Sequence, residues 1–254
     1  MILTLDCGNT MIKVGLFNEQ TLEFSFAITT DKNKSSDEYA IVLKTLVTST
    51  HLNVNGAIIS SVVPQLTEVL SMAIEKVFKI KPLIVDKNLK TKMPIKIDNP
   101  NELGSDLLCG AIGALNMFKG PIVVADLGTA TKLYAVDKNG AFVGCVITSG
   151  LKACLKSLVS STSLLLEVPF VFPKNIIGKN TKDSIQSGIL NSQKYTVREF
   201  ANDIEKELGY PVKRIITGGF SKVLEQKLDD FVWVDNLVLY GLNNIYRVNV
   251  YEKR

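Results

Sequence analysis

Ile2-Leu3-Thr4-Leu5-Asp6-Cys7-Gly8-Asn9-Thr10 and Ile122-Val123-Val124-Ala125-Asp126-Leu127-Gly128-Thr129-Ala130 share one pattern. In each, an apolar run of strand character ends at an aspartate and gives way to a turn containing glycine. A second β-like run follows each turn, Met11 to Phe17 and Thr131 to Val136. A third run begins after a polar break, Asn18-Glu19-Gln20 in the first case and the hairpin turn Asp137-Lys138-Asn139-Gly140 in the second. The two aspartates are separated by close to half of the 254 residues. That spacing predicts one structural unit used twice.

The segments after each triple also correspond. Ser35-x-x-Glu38 forms a capping box that opens a helix with Tyr39, Val42, Leu43 and Leu46 on one face. A short strand at Ala57 to Ser60, a helix from Pro64, a strand at Leu83-Ile84-Val85 and a helix from Gly104 to Phe118 complete the first set. In the second set, helical segments lead to a strand at Arg214 to Thr217. A helix after Gly219, a strand at Phe231 to Val234 and a last helix over Leu237 to Tyr246 follow. Each half reads βββαβαβα, an α/β arrangement with a mixed sheet and helices on its faces. The boundary is placed at Lys119-Gly120, giving halves 1–119 and 120–254 with a ligand cleft expected between them.

Composition narrows the function classes. Apolar residues make up 46% of the chain, ample for a packed core. The net charge of +4, from 29 basic and 25 acidic residues, is too small and too dispersed for a nucleic-acid footprint. Asp6 interrupts the N-terminal apolar stretch, so no signal-peptide core is expected there, and no window is apolar enough to span a membrane. The four cysteines, Cys7, Cys109, Cys145 and Cys154, form no C-x-x-C pair, and His51 is the one histidine. A zinc site is not expected, and reduced thiols in a cytoplasmic protein are. His51 reads as a surface residue.

Asp6 and Asp126 each have two readings. An aspartate before a glycine-containing turn caps that turn through its own backbone. A carboxylate at the mouth of an apolar strand also needs a counter-charge, and two of them related by duplication would meet in one cleft. Gly8 and Gly128 would let backbone N–H groups approach phosphate oxygens, Thr10 and Thr129 could donate hydroxyls, and the two carboxylates could hold Mg2+ and a second cation against a triphosphate. Asp106, in Leu103-Gly104-Ser105-Asp106, is either a first-turn carboxylate favoured by the helix dipole or a base for a hydroxyl nucleophile. Thr217-Gly218-Gly219 is a turn or a seat for a flat ring against the backbone. Gly178-Lys179-Asn180-Thr181 lacks the spacing of a P-loop, and no dinucleotide fingerprint is present.

At these residues the chain resembles the type III pantothenate kinases, a branch of the actin-like superfamily that includes acetate and sugar kinases and Hsp70. The resemblance rests on Asp6-x-Gly8-Asn9-Thr10, Ser60-Ser61-Val62-Val63-Pro64, Asp98-Asn99-Pro100 with Gly104-Ser105-Asp106, and Asp126-x-Gly128-Thr129-Ala130. It continues through Gly178-x-Asn180-Thr181, Thr217-Gly218-Gly219 and Leu237-x-Leu239-x-Gly241-Leu242. It implies two duplicated ribonuclease H-like halves and transfer of the ATP γ-phosphate to the 4′-hydroxyl of pantothenate, the first step of coenzyme A synthesis. By position, Asp6, Cys7, Gly8, Asn9, Thr10, Met11, Ile12 and Lys13 would wrap the ATP phosphates and Mg2+, and Thr129 would contact ATP. Asp106 would accept the proton, and Asp126 would bind a monovalent cation, K+ or ammonium. Gly104, Ser105, Asp106, Leu107 and Thr181 would line the pantothenate site. The family also implies a homodimer, for which the small residues Gly110, Ala111, Gly113 and Ala114 offer a close helix contact.

Four positions depart from the family pattern. Leu107 stands for an arginine, Ile97 for an aromatic residue, Lys132 for a small residue and Ser149 for a proline. Alternation along the strand leaves Lys132 facing either the cleft, where it would replace the lost guanidinium charge, or solvent. The competing functions are a nucleotide-binding regulatory protein on the same fold and a kinase of another small hydroxyl compound.

Overall fold

The computed structural model describes residues 1–86, 88–162 and 164–252. It contains two compact units, Met1–Met117 with Asn236–Arg254, and Phe118–Asp235.

In the first unit, β1 (Ile2–Cys7), β2 (Met11–Asn18), β3 (Thr21–Thr29), β4 (Gly56–Ser61) and β5 (Leu83–Ile84) form one sheet in the order β3-β2-β1-β4-β5. The hairpin pairs are antiparallel, and β4 and β5 join in parallel. Helices α1 (Ser36–Thr48), α2 (Pro64–Phe78) and α3 (Ser105–Met117) alternate with the later strands. The capping box at Ser35 and Glu38 forms as the sequence predicts. Strand alternation divides this sheet into two faces. Leu3, Leu5, Cys7, Ile12, Val14, Leu16 and Ile59 point to one face and build the core with Leu43, Leu66, Leu70 and Ile74 of α1 and α2. Thr4, Asp6, Lys13 and Ser60 therefore belong to the opposite face.

The second unit repeats this plan. Strands β6 (Ile122–Leu127), β7 (Ala130–Val136), β8 (Phe142–Ser149), β9 (Lys213–Thr217) and β10 (Val232–Trp233) take the order β10-β9-β6-β7-β8, the same topology read from the other edge. The repetition extends to irregularities: the register shifts between Leu16 and Phe17 in the first hairpin and between Ala135 and Val136 in the second. Val123, Ala125, Leu127, Leu133 and Ile216 pack with Leu190, Val197 and Ala201, which places Asp126, Lys132 and Thr217 on the other face.

Three features differ from the sequence pattern. Where the first half has one helix after its third strand, the second has two, α4 (Leu151–Ser160) and the 28-residue α5 (Thr181–Leu208). The helix after Gly219 is a single turn, α6 (Ser221–Leu224). The last helix, α7 (Leu237–Val250), which a division into 1–119 and 120–254 assigns to the second half, lies in the first compact unit. Its seat is a glycine contact. A Cβ on Gly241 would stand 1.8 Å from the Cys109 carbonyl oxygen, and one on Gly113 would stand 2.4 Å from the Leu237 carbonyl oxygen. Only hydrogens at both positions let the two backbones approach so closely.

Candidate functional site

Asp6 is half-buried at the end of β1 and lies in register with Lys13 on β2 and Ser60 on β4. Residues directly opposite on paired strands share a face, so the three form one row. The second unit carries the same row: Asp126 lies in register with Lys132 on β7 and Thr217 on β9. The sequence singled out the two aspartates but treated Lys132 as a departure. In register it is the counterpart of Lys13.

The turn after Asp6 is closed by Gly8 N–H donating to the Met11 carbonyl at 3.0 Å and by the Thr30 hydroxyl donating to the Gly8 carbonyl at 2.7 Å. Asn9 and Thr10 are exposed at its tip, and Met11 is exposed beside them. Cys7 and Ile12, expected at the phosphates, turn their side chains into the core, so backbone groups are what they can offer there. Lys13 Nζ donates to Asn236 Oδ1 at 3.4 Å, joining β2 to the residue that begins α7.

Asp106 reaches the same face through α3. The Ser60 hydroxyl donates to Ser105 Oγ at 2.9 Å, and the Ser105 hydroxyl lies 3.3 Å from the Ser61 carbonyl oxygen. These bonds tie the start of α3 to the strand that pairs with β1. Asp106 is half-buried in the first turn, where its Oδ1 accepts from Leu107 N–H at 2.9 Å. Gly104 makes room for that carboxylate, since a Cβ there would lie 2.6 Å from Oδ1. Leu107 is buried, which means an arginine at this position would need its guanidinium accommodated out of water. One turn on, the buried Cys109 thiol is pushed well up by desolvation first, then by the negative fields of Asp6 and Asp106. Both carboxylates are thus within electrostatic reach of one atom, and the Ser60 hydroxyl bonded to that thiol lies with them.

In the second unit, Lys132 Nζ stands 2.9 Å from Asp126 Oδ2, each side chain being 16% exposed. Lys132 therefore turns to the carboxylate and not to open solvent. Gly218 has φ of +97°, and a Cβ on it would lie 2.5 Å from Asp126 Oδ1. This glycine is required both by its backbone conformation and by the closeness of the carboxylate. Gly219 has open space where a Cβ would be. Thr129 is exposed at the tip of the turn, and Gly150 packs under it, where a Cβ would lie 2.5 Å from the Thr129 carbonyl oxygen. Thr181 begins α5, capped by the Asn180 side chain, and lines a cavity of about 690 Å³ with Gly178, Ile185 and Gly188. His51 is exposed, with φ of +57°.

The family profile described as type III pantothenate kinase matches residues 2–203. The chain belongs to that family. It is 36% identical over 252 residues to the type III pantothenate kinase of Agathobacter rectalis, covering 97% of each chain. It is 39% identical over 251 residues to the type III pantothenate kinase of Acholeplasma laidlawii, covering 98% of this chain and 100% of that one. Among solved structures it resembles a Campylobacter jejuni protein described as a Baf family transcriptional activator, with a TM-score of 0.62 at 16% identity over 97% and 98% of the two chains. That likeness speaks for the fold alone, which is the actin-like one of duplicated halves. In this pantothenate kinase, the small residues Gly110, Ala111, Gly113 and Ala114 are all buried, and Gly113 is spent on α7. They do not offer the subunit contact expected of them.

Proposed function

We propose that Asp106 is the proton acceptor in the reaction of this family, the ATP-dependent phosphorylation of pantothenate to 4′-phosphopantothenate in coenzyme A biosynthesis. The observation that carries this reading is the bonding of Ser105, the residue before Asp106, to Ser60 on the sheet face that bears Asp6. A base for a loose phosphoryl-transfer transition state needs position more than an unusual affinity for protons. The α3 N-terminus would draw the pantothenate carboxylate, and Gly104, Ser105, Leu107 and Thr181 would line its site.

The turn from Asp6 to Lys13 would cradle the ATP phosphates, with Thr129 also touching the nucleotide. Among the described residues no group of three or more His, Cys, Asp or Glu side chains could enclose a metal. The half-buried Asp6 alone suits Mg2+, which takes one or two carboxylates and completes its shell with water and substrate phosphate. When bound, that ion would neutralise developing phosphate charge. Lys13, held by Asn236, would bring a fixed positive charge to the same face. Release of ADP that requires both ATP and pantothenate is the expected result; release that ignores pantothenate would point to a different acceptor or to a nucleotide-binding regulator.

A cytoplasmic homodimer is proposed on the family resemblance. No helix among the described residues is long and apolar enough to cross a membrane, and none of the four cysteines is in a disulfide. Leu164, Leu166, Ile176 and Ile177 are exposed in the second unit, where a subunit contact would remove them from water. Light scattering should give twice the 27.9 kDa chain mass; a mass equal to one chain would count against the dimer.

A further inference from the structure

We propose that the Lys132 ammonium is itself the cation of the Asp126 site, so that this kinase turns over without a dissolved monovalent ion. Asp126 closes a strand whose preceding residues, Ile122 to Ala125, are all fully buried, and its own side chain is 16% exposed. A carboxylate so far from water needs a positive partner. The fold provides one. Only Gly128 and Thr129 separate β6 from β7, and this short turn sets Asp126 opposite Lys132 in a ladder of six residue pairs. Opposed residues share a face, and the ammonium comes to 2.9 Å from Oδ2.

The other carboxylate oxygen is also confined. Oδ1 faces the α-carbon of Gly218 so closely that a Cβ there would lie 2.5 Å away. An alkali ion needs several oxygens to replace its hydration shell. At Oδ2 it would have to displace the lysine or sit against a second positive charge. K+ or ammonium at Asp126, which the family resemblance implies, therefore does not fit the residues present. A tethered ammonium has the same charge and N–H donors as the dissolved one, and its effective concentration is fixed by the strand. The first half shows that the lysine belongs to the repeat, since Lys13 stands opposite Asp6 in the corresponding register.

The test compares the purified full-length protein and Lys132→Ala in potassium, ammonium and tetramethylammonium chloride at matched ionic strength. This inference rests on pantothenate-dependent ADP release as the activity, so melting temperature is measured alongside turnover. Turnover of the unaltered chain in potassium reports on the activity itself, and the melting comparison reports on the ion whether or not turnover is seen. The unaltered protein should vary by less than about twofold in kcat among the salts and melt at the same temperature in each. Lys132→Ala should lose roughly tenfold or more in tetramethylammonium, recover in potassium or ammonium, and gain melting temperature with either ion. A tenfold fall of the unaltered protein on removing potassium and ammonium would overturn the proposal. So would a Lys132→Ala protein that is indifferent to the salt, or one that folds and that neither ion restores. If the variant does not fold, the salt response of the unaltered protein decides alone.

Discussion

Asp106→Asn should reduce kcat by roughly a hundredfold or more while ATP still binds. The amide has the shape of the carboxylate and retains an oxygen for the Leu107 N–H, which Asp106 Oδ1 now accepts at 2.9 Å. The start of α3 should survive the change, because its anchor is Ser105 on Ser60 and Ser61, not the side chain at 106. What the amide cannot do is take a proton from the attacking hydroxyl. It also removes a negative charge that now acts on Cys109 together with that of Asp6. Turnover under saturating ATP and pantothenate, with nucleotide binding measured separately, checks both halves of the expectation. A variant that keeps more than about a tenth of the turnover, a loss under ~1.4 kcal/mol in the barrier, would show that Asp106 is not the base.

The fold was largely legible because duplication leaves a periodic trace. Two apolar runs ending in Asp6 and Asp126, each followed by two further strands, are enough to predict paired β-hairpins, and both sheets grow outward from those strands. The last helix was not legible in the same way. Its placement depends on Gly113 and Gly241 meeting the partner backbones, a contact between residues far apart in the chain. Read along one helix, Gly110, Ala111, Gly113 and Ala114 suggest a face for a second subunit. In the fold, Leu107 to Ala114 are buried without interruption, so α3 has no free small-residue face to offer.

The site divides along similar lines. Asp6, Asp106 and Asp126 could be picked out because a carboxylate ending an apolar strand or opening a helix is locally conspicuous. Ser60 and Ser105 stand in the motifs of the resemblance, but the bond between them was not legible, since it joins residues forty-five positions apart in the chain. Lys132 was visible as an unusual residue, but alternation alone gave it two directions. What settles its direction is register, and register depends on the length of the turn at Gly128 and Thr129. Cys7 and Ile12 show the opposite limit: they stand in the phosphate-turn motif by position, yet strand alternation commits their side chains to the core.

The same substitution should have opposite effects at two helical glycines. Gly241→Ala places a methyl group 1.8 Å from the Cys109 carbonyl oxygen, with the Cys109 carbonyl carbon at 2.6 Å and its α-carbon at 3.0 Å. All three are backbone atoms, so no side chain can swing aside. Helix α3 is fixed in turn by Ser105 at one end and by Gly113 under the Leu237 carbonyl further on. The helices must separate, and overpacking of this kind costs about 1–3 kcal/mol or more, a large share of a typical folding stability of about 5–15 kcal/mol. Gly188, inside α5, is exposed and has nothing within 4 Å of an added Cβ. There alanine removes the backbone entropy penalty of glycine and should stabilise by about 0.5–1 kcal/mol. Urea midpoints of the two variants against the unaltered chain, read by far-ultraviolet circular dichroism, test the pair together. Because helix propensity favours alanine at both positions, a Gly241→Ala protein as stable as Gly188→Ala would mean that α7 is not held against α3 by this glycine contact.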